Sequence, residues 1–281
     1  ANFVYFMDVH SKLLRLFLFL LPCQTIWLIR VPLISESVWQ FGVIGVYVTE
    51  LILLAAFFLF LLRRWPLPLP TGWWRVLTIT TLLFFLINIA RASDPLLSAL
   101  HLFRVGEVMM LCWMILGDNE PKKLFYYFIS GLTLASCLGI AQFLVNATWV
   151  STVLGLSNHD KNVPGTTVIL LNGIRHLRAY GPFPHPNIFG GFMAVGFVLN
   201  LFFSKQWALR KSIHIMCSIL LLAGLLVSFS RSAWLVGIFG IIMYFFHTYK
   251  KKSALVFTVF FLVTVGVVGW SLRAYVGDRF A

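Results

Sequence analysis

The chain has 281 residues, of which 60% are hydrophobic and only 11% are charged, and its mean hydropathy is +0.90. Soluble domains carry about 25% charged residues, so this composition excludes a soluble globular domain, and it is the opposite of a disordered chain. The net charge of +13 favours anionic lipid headgroups over nucleic acid as the partner, because basic clusters ordinarily flank membrane spans. We therefore expect an integral membrane protein with no nucleic-acid partner.

Apolar runs long enough to cross about 30 Å of hydrocarbon alternate with charged or proline-rich breaks. They predict an all-α fold, a polytopic helical bundle that forms a single domain over residues 1–281. Its nine spans are expected near residues 13–29, 42–62, 76–92, 97–116, 124–145, 187–204, 213–230, 232–248 and 254–272. Four cysteines lie inside these runs and are interpreted as reduced packing residues: Cys23, Cys112, Cys137 and Cys217.

Basic clusters stand at every second boundary between the runs. They are Lys12 with Arg15; Arg63, Arg64 and Arg75; Lys122 with Lys123; Lys205, Arg210 and Lys211; and Lys250, Lys251 and Lys252. By the positive-inside rule these ends face the cytoplasm, which places the amino terminus inside and the carboxyl terminus outside. The last residues then enter an external segment, so we expect the protein to continue past residue 281 into a large external loop and further spans.

The longest polar stretch, residues 146–186, is expected to be an external loop, and loops of this length are usually functional or mobile. Prolines at alternate positions near its end predict an extended chain, and Asn187 is expected to cap the helix that follows. The free N–H groups and positive dipole end of that helix, beside Arg178, would suit an anionic group. The alternative is that Pro186 and Asn187 only start a helix and that Arg178 extends to the headgroup region.

A second candidate site, Ser230-Arg231-Ser232, interrupts the apolar stretch from Ile213 to His247. As one helix this stretch would reach roughly 52 Å, which exceeds the hydrocarbon layer, so we expect it to turn back at these residues. Arg231 would then lie at the outer rim. A charge near hydrocarbon costs on the order of 2 to 3 kcal/mol and is normally paired or functional, although extension to the headgroups is the alternative.

Several other residues are candidates of lower specificity. Arg104 and Glu107 are three residues apart and are expected to pair along a helix, and Arg91 with Asp94 is likewise interpreted as structural, with ligand binding as the alternative. His185 is placed where an acid or base could act. Metal-ligand spacings and glycine-rich nucleotide loops are absent from the sequence, so we expect no metal or other cofactor and a preactivated donor.

The two candidate sites together carry a resemblance to a known family. Residues 178–187 (RAYGPFPHPN) at the head of one span, followed by residues 230–234 (SRSAW), resemble the O-antigen ligase and O-antigen polymerase superfamily of bacterial envelope glycosyltransferases. The resemblance implies transfer of an oligosaccharide from an undecaprenyl-diphosphate donor to an acceptor glycan or glycolipid at the outer face of the plasma (inner) membrane. It does not separate ligase from polymerase.

The resemblance also implies roles for particular residues. Arg178 and Arg231 would hold the diphosphate, and the supporting candidates are His185, Asn187, Ser230, Ser232, Arg91 and Arg104. The family carries its catalytic base, a His, in an external loop after the ninth span, beyond residue 281, and we do not assign that role to His185. Two other classes remain open: a transporter of an anionic lipid-linked or polysaccharide substrate, and a membrane scaffold without chemistry.

Overall fold

The computed structural model describes most of the chain. The described residues are 2–34, 37–38, 42–64, 72–118, 120–163, 165–171, 173–203 and 211–249, together with the isolated positions 258, 259, 262 and 266. Apart from those isolated positions, the predicted ninth span lies outside the described residues. The basic residues predicted to mark two cytoplasmic ends, at 205, 210 and 250–252, lie outside them as well.

The described residues form eight helices and three small ribbons. The helices are α1 (Asn2–Leu20), α2 (Val48–Arg64), α3 (Trp73–Arg91), α4 (Pro95–Gly117), α5 (Pro121–Val145), α6 (Pro186–Phe203), α7 (Lys211–Val227) and α8 (Arg231–Thr248). The strands are β1 (Ile26–Arg30), β2 (Leu33–Ile34), β3 (Ser37–Val38), β4 (Ile44–Tyr47), β5 (Val168–Leu171) and β6 (Ile174–Leu177). They pair antiparallel as β1–β4, β2–β3 and β5–β6, so the fold is mainly helical rather than purely helical.

Three helices are long and apolar enough to cross a membrane, namely α4, α5 and α6. They coincide with the spans predicted at 97–116, 124–145 and 187–204, and their length and composition indicate a membrane protein. Residues 48–62 of α2 and the whole of α7 are apolar but shorter. The described residues therefore support three spans and not the nine that the sequence predicted.

The predicted span at 13–29 is wrong, and the span predicted at 42–62 is helical only from Val48 onwards. Helix α1 ends at Leu20, and the apolar residues that follow form β1, which pairs with β4 in the register Ile26↔Tyr47. A short apolar run does not distinguish a strand from part of a helix by its pattern, and β-branched and aromatic residues favour the strand. Hydropathy alone therefore predicts a membrane helix through residues 26–29, where the structure has a strand.

The chain divides into two compact units. The first comprises the described parts of residues 1–17 and 25–124, and the second those of residues 18–24 and 125–281. In the first unit α4 packs against α2 and α3, and in the second α6 packs against both α7 and α8. The second unit also contains most of α5, and it brings the residues of both candidate sites into one body.

The core of the second unit is built around Phe189 in the first turns of α6. Phe189, Met193 and Ala194 are fully buried and pack with Leu132 of α5 and Leu221 of α7. In a membrane span, close packing of such side chains rather than their removal from water holds the helices together. The amino-terminal part of α6 is therefore the anchor that fixes the loop before it and the turn beside it.

Two neighbouring glycines of α6 test how closely it packs. A Cβ on Gly190 would lie 2.5 Å from Ser228 Oγ and 3.1 Å from Ala233 Cβ, whereas a Cβ on Gly191 would meet open space. We expect Gly190→Ala to lower the free energy of unfolding by about 1–3 kcal/mol, because the added methyl group would clash with Ser228 and push α6 away from that turn. Gly191→Ala is the matched control and should be neutral or stabilising by up to about 1 kcal/mol.

Thermal unfolding of the two purified variants in one detergent compares them directly. Equal effects of Gly190→Ala and Gly191→Ala would contradict the close contact between α6 and the turn at Ser228.

Candidate functional site

Arg178 is the central residue of the second unit's polar cluster, and it is only 5% exposed. Its Nε donates a hydrogen bond to the carbonyl oxygen of Ser228 at 2.7 Å, and its Nη2 donates to Oδ1 of Asn187 at 2.7 Å. Bonds of this kind, from a charged donor, are about twice as strong as neutral ones. Arg178 is therefore held inside the protein, where it joins the start of α6 to the turn between α7 and α8.

The start of α6 differs from the prediction. The helix begins at Pro186, and the residue before it, His185, accepts the backbone N–H of Asn187 on its Nδ1 at 3.1 Å. Proline suits the first helical position, which moves the capping position to residue 185. The prediction that Asn187 caps this helix is wrong, because its side chain accepts the bond from Arg178 instead.

The backbone donors of this helix start are already used. The N–H groups of Ile188 and Phe189 donate to the carbonyl oxygen of His185 at 3.0 Å and 3.1 Å, and that of Asn187 reaches the His185 ring. The expectation of free N–H groups at the head of α6 is therefore wrong. An anion at this place would have to be met by side chains and by the helix dipole.

The proline-rich segment before α6 forms a turn rather than the predicted extended chain. The N–H of Phe183 donates to the carbonyl oxygen of Tyr180 at 3.1 Å, and Gly181 adopts φ of 58°, a conformation that favours glycine. A Cβ at Gly181 would also lie 2.7 Å from Cδ2 of Phe189. The turn places His185 over the buried start of α6.

Gln142 holds this turn from α5 and was missed in the sequence analysis. Its Nε2 donates to the carbonyl oxygen of Gly181 at 3.0 Å, and its Oε1 accepts the N–H of Gly181 at 2.7 Å. A buried polar residue needs such partners. The sequence shows only that a polar glutamine interrupts an apolar run, and this does not indicate which group the glutamine bonds to.

The predicted break in the apolar stretch 213–247 is confirmed, with the turn slightly earlier than expected. Helix α7 ends at Val227 and α8 begins at Arg231. Phe229 in the turn has φ of 48°, which is uncommon for a residue other than glycine. Its ring lies 5.7 Å from that of Phe143 and 6.0 Å from that of Trp234, measured between centroids, so packing holds the turn in this conformation.

The start of α8 is built differently from the start of α6. Arg231 is exposed, and the hydroxyl oxygens of Ser230 and Ser232 are 3.4 Å apart. The Ser230 side chain makes no capping hydrogen bond. The N–H of Trp234 donates the first helical hydrogen bond of α8, to the carbonyl oxygen of Ser230 at 2.9 Å. The earlier N–H groups of α8 are therefore not capped by this serine and, with Arg231, form the cationic end of the cluster.

Two histidines of the long loop belong to the same cluster. The ring of His159 stacks on that of Tyr180 at 4.0 Å between centroids, and the Tyr180 hydroxyl accepts the N–H of Thr167 at 2.9 Å. The Thr167 hydroxyl lies 3.5 Å from Nε2 of His185. Burial lowers the pKa of both histidines. Repulsion from His185 lowers the pKa of His159 further, and the positive charge of Arg178 lowers that of His185 further.

Arg91 and Arg104 belong to the other unit. Arg104 forms an ion pair with Glu50 of α2, with 3.4 Å between Nε and Oε1, and donates to the carbonyl oxygen of Gly45 at 3.3 Å. The predicted pairing with Glu107 is wrong, because the β1–β4 ribbon and α2 bring other partners to Arg104. Arg91 is exposed in the last turn of α3.

Asp94 also has a partner that the sequence did not predict. It forms an ion pair with Arg30 of β1, and its other carboxylate oxygen accepts the N–H of Leu97 at 3.0 Å as the cap of α4. These bonds hold the pKa of Asp94 below its usual range, the bond from Leu97 being the largest cause. Arg30, Asp94 and Arg104 thus have structural contacts within the first unit.

The chain matches no protein-family model, no curated protein and no solved structure. The resemblance to the O-antigen ligase and polymerase superfamily consequently rests on residues 178–187 and 230–234. Among the described residues, no three His, Cys, Asp or Glu side chains are grouped to hold a metal ion.

The lowered pKa values of His159 and His185 predict acid destabilisation. The neutral rings are favoured in the folded state, whereas unfolded histidine takes up a proton near a pKa of about 6.5. Their contribution to stability is therefore present above about pH 6.5 and is lost as the pH falls towards the folded-state values. We expect a lower melting temperature at pH 5 than at pH 7.5.

The double variant His159→Phe, His185→Asn should reduce this difference in melting temperature. Phenylalanine preserves the stack on Tyr180 and asparagine preserves an acceptor for the N–H of Asn187. An unchanged difference between the two pH values would contradict the assignment of the acid sensitivity to these histidines.

Proposed function

We propose that the chain is a membrane glycosyltransferase of the O-antigen ligase or polymerase type. It would transfer or polymerise an oligosaccharide from an undecaprenyl-diphosphate donor onto an acceptor glycan or glycolipid, in polysaccharide or lipopolysaccharide biosynthesis. The reaction would take place at the outer face of the bacterial plasma (inner) membrane, in a multi-pass protein whose amino terminus is cytoplasmic. The basic clusters support this orientation.

The junction at Arg178 is the observation that carries the proposal. Arg178 lies in the first of the two segments that bear the family resemblance and bonds there to Asn187. Its bond to the Ser228 carbonyl, 50 residues along the chain, reaches the turn that leads into the second segment, two residues before Ser230. Such a junction is expected if both segments serve one ligand. A scaffold in which each arginine only anchored its own loop would not need it.

In this proposal the donor's diphosphate lies at the start of α8. Arg231 and the first turn of that helix would face the phosphate oxygens, and the buried charge of Arg178 would add to the positive potential there. As the acceptor oxygen attacks the sugar carbon and the sugar–phosphate bond breaks, negative charge develops on the departing diphosphate. Fixed positive groups that neutralise this charge supply the largest catalytic contribution in many enzymes.

One observation favours a transporter as the second candidate. Glu107 lies near the middle of α4, one of the candidate spans, and is buried; its Oε1 has no hydrogen-bond partner among the described residues. Ionisable side chains inside a membrane span are costly and often mark substrate or proton pathways. Flux of an anionic lipid-linked substrate across vesicles containing the chain, without sugar transfer and lost in Glu107→Gln, would favour this candidate.

Arg231→Ala tests the proposed function. Because Arg231 is exposed and would act on charge that develops in the reaction, we expect a roughly 100-fold or larger loss of glycan transfer with little change in membrane insertion or melting temperature. The assay uses the full-length protein in proteoliposomes with undecaprenyl-diphosphate-linked oligosaccharide. Normal transfer by Arg231→Ala would refute the assignment.

Two controls accompany this variant. Arg175→Ala removes an exposed arginine of β6 in the same unit, whose Nε donates to the carbonyl oxygen of Lys161, and should leave transfer unchanged. Arg231→Lys keeps the charge without the planar donor fork, so an intermediate rate is expected.

Arg178→Lys should behave differently from Arg231→Ala. A lysine has a single nitrogen at its end and does not reproduce the planar fork that serves both the Ser228 carbonyl and the Asn187 side chain, so the junction is weakened. We expect both transfer and melting temperature to fall. An unchanged melting temperature with lost transfer would instead assign Arg178 to substrate contact alone.

A further inference from the structure

The two ring nitrogens of His185 have different environments, and the contacts fix where its proton lies. Nδ1 accepts a hydrogen bond from the backbone N–H of Asn187 at 3.1 Å. A backbone N–H only donates, so Nδ1 carries no proton, and the proton of the neutral ring is on Nε2.

The donor on Nε2 is weakly satisfied by the protein. The Thr167 hydroxyl lies 3.5 Å away, which is at the outer limit of hydrogen bonding, and the His185 ring is only half-buried. Nε and Nη2 of Arg178 are better satisfied, since each lies 2.7 Å from a protein acceptor. An incoming acceptor could therefore replace the Thr167 contact at Nε2 at small cost.

The protonation state of the His185 ring also suits an anionic ligand that binds beside Arg178. Burial lowers the pKa of His185, and the nearby positive charge of Arg178 lowers it further, so the ring is a neutral donor at pH 7. A neutral donor binds a phosphate oxygen without placing a second cation against the buried guanidinium, which would cost free energy when the ligand is absent.

We propose that His185 is a ligand-contacting residue of the diphosphate site, which donates its Nε2–H to a diphosphate oxygen while its Nδ1 caps α6. This inference rests on the proposed function, since it assumes that a diphosphate binds in the second unit. The resemblance offers His185 only as a supporting candidate, and the contacts add which ring nitrogen would donate and which would cap the helix.

Two substitutions separate the two nitrogens. His185→Asn places an oxygen near the position of Nδ1 and keeps the cap, because asparagine is among the preferred capping residues, but it removes the Nε2 donor. His185→Gln reaches farther and retains an N–H donor near the position of Nε2, while its capping is poorer. A residue that only capped the helix would be rescued by asparagine, and a ligand donor would be rescued by glutamine.

The measurement is binding of undecaprenyl diphosphate to the purified chain in lipid nanodiscs, with the melting temperature recorded for each variant. We expect His185→Asn to weaken binding roughly tenfold or more, as for loss of a hydrogen bond to a charged group, with a melting temperature near that of the wild type. His185→Gln should bind within about threefold of the wild type even where its melting temperature falls.

Wild-type affinity in His185→Asn would overturn the inference. A comparable loss of affinity in both variants would also overturn it, since the Nε2 donor would then not be what matters. Inorganic diphosphate, tested as a competitor, separates the headgroup from the lipid chain, and its affinity should show the same dependence on residue 185.

Failure of the inference can be told apart from failure of the proposed function. If the wild type does not bind undecaprenyl diphosphate, the proposed function and the inference both fail. If the wild type binds, Arg231→Ala does not, and His185→Asn is unaffected, only the inference fails.

Discussion

The second unit depends on one buried guanidinium. A charged side chain removed from water costs several kcal/mol unless hydrogen bonds compensate it, and Arg178 obtains two of its bonds from residues 9 and 50 positions further along the chain. One is the carbonyl oxygen of Ser228 in the strained turn after α7, and the other is the side chain of Asn187 at the head of α6. The position of α6 relative to the start of α8 is therefore fixed by the need to satisfy this charge.

This arrangement makes the two helix starts unequal. The head of α6 is closed by His185, which uses both its ring and its carbonyl oxygen on the first N–H groups. The head of α8 is not capped by the Ser230 side chain and carries the exposed Arg231. The exposed positive charge of the cluster therefore lies at the start of α8, whereas His185 lies at the start of α6, near enough to Arg178 for that charge to lower the pKa of its ring. This differs from the sequence interpretation, which placed the anion at the head of α6.

Some of this could be predicted from sequence and some could not. The break near Arg231 followed from length alone, and the apolar composition of α4, α5 and α6 identified them as candidate spans. The cap at His185, the bonds from Gln142 to Gly181 and the pair between Arg104 and Glu50 could not be found, because each depends on which distant segment a polar group meets. The β1–β4 ribbon was missed because apolar strands and apolar helices share the same hydropathy.

The most direct test of the account is an experimental structure of the protein in lipid nanodiscs with undecaprenyl diphosphate bound. The account predicts phosphate density at the start of α8, with oxygen atoms about 3 Å from the Arg231 guanidinium and Arg178 still bonded to Asn187 and to the Ser228 carbonyl. Phosphate density away from Arg231, or on the cytoplasmic side of the membrane, would contradict it.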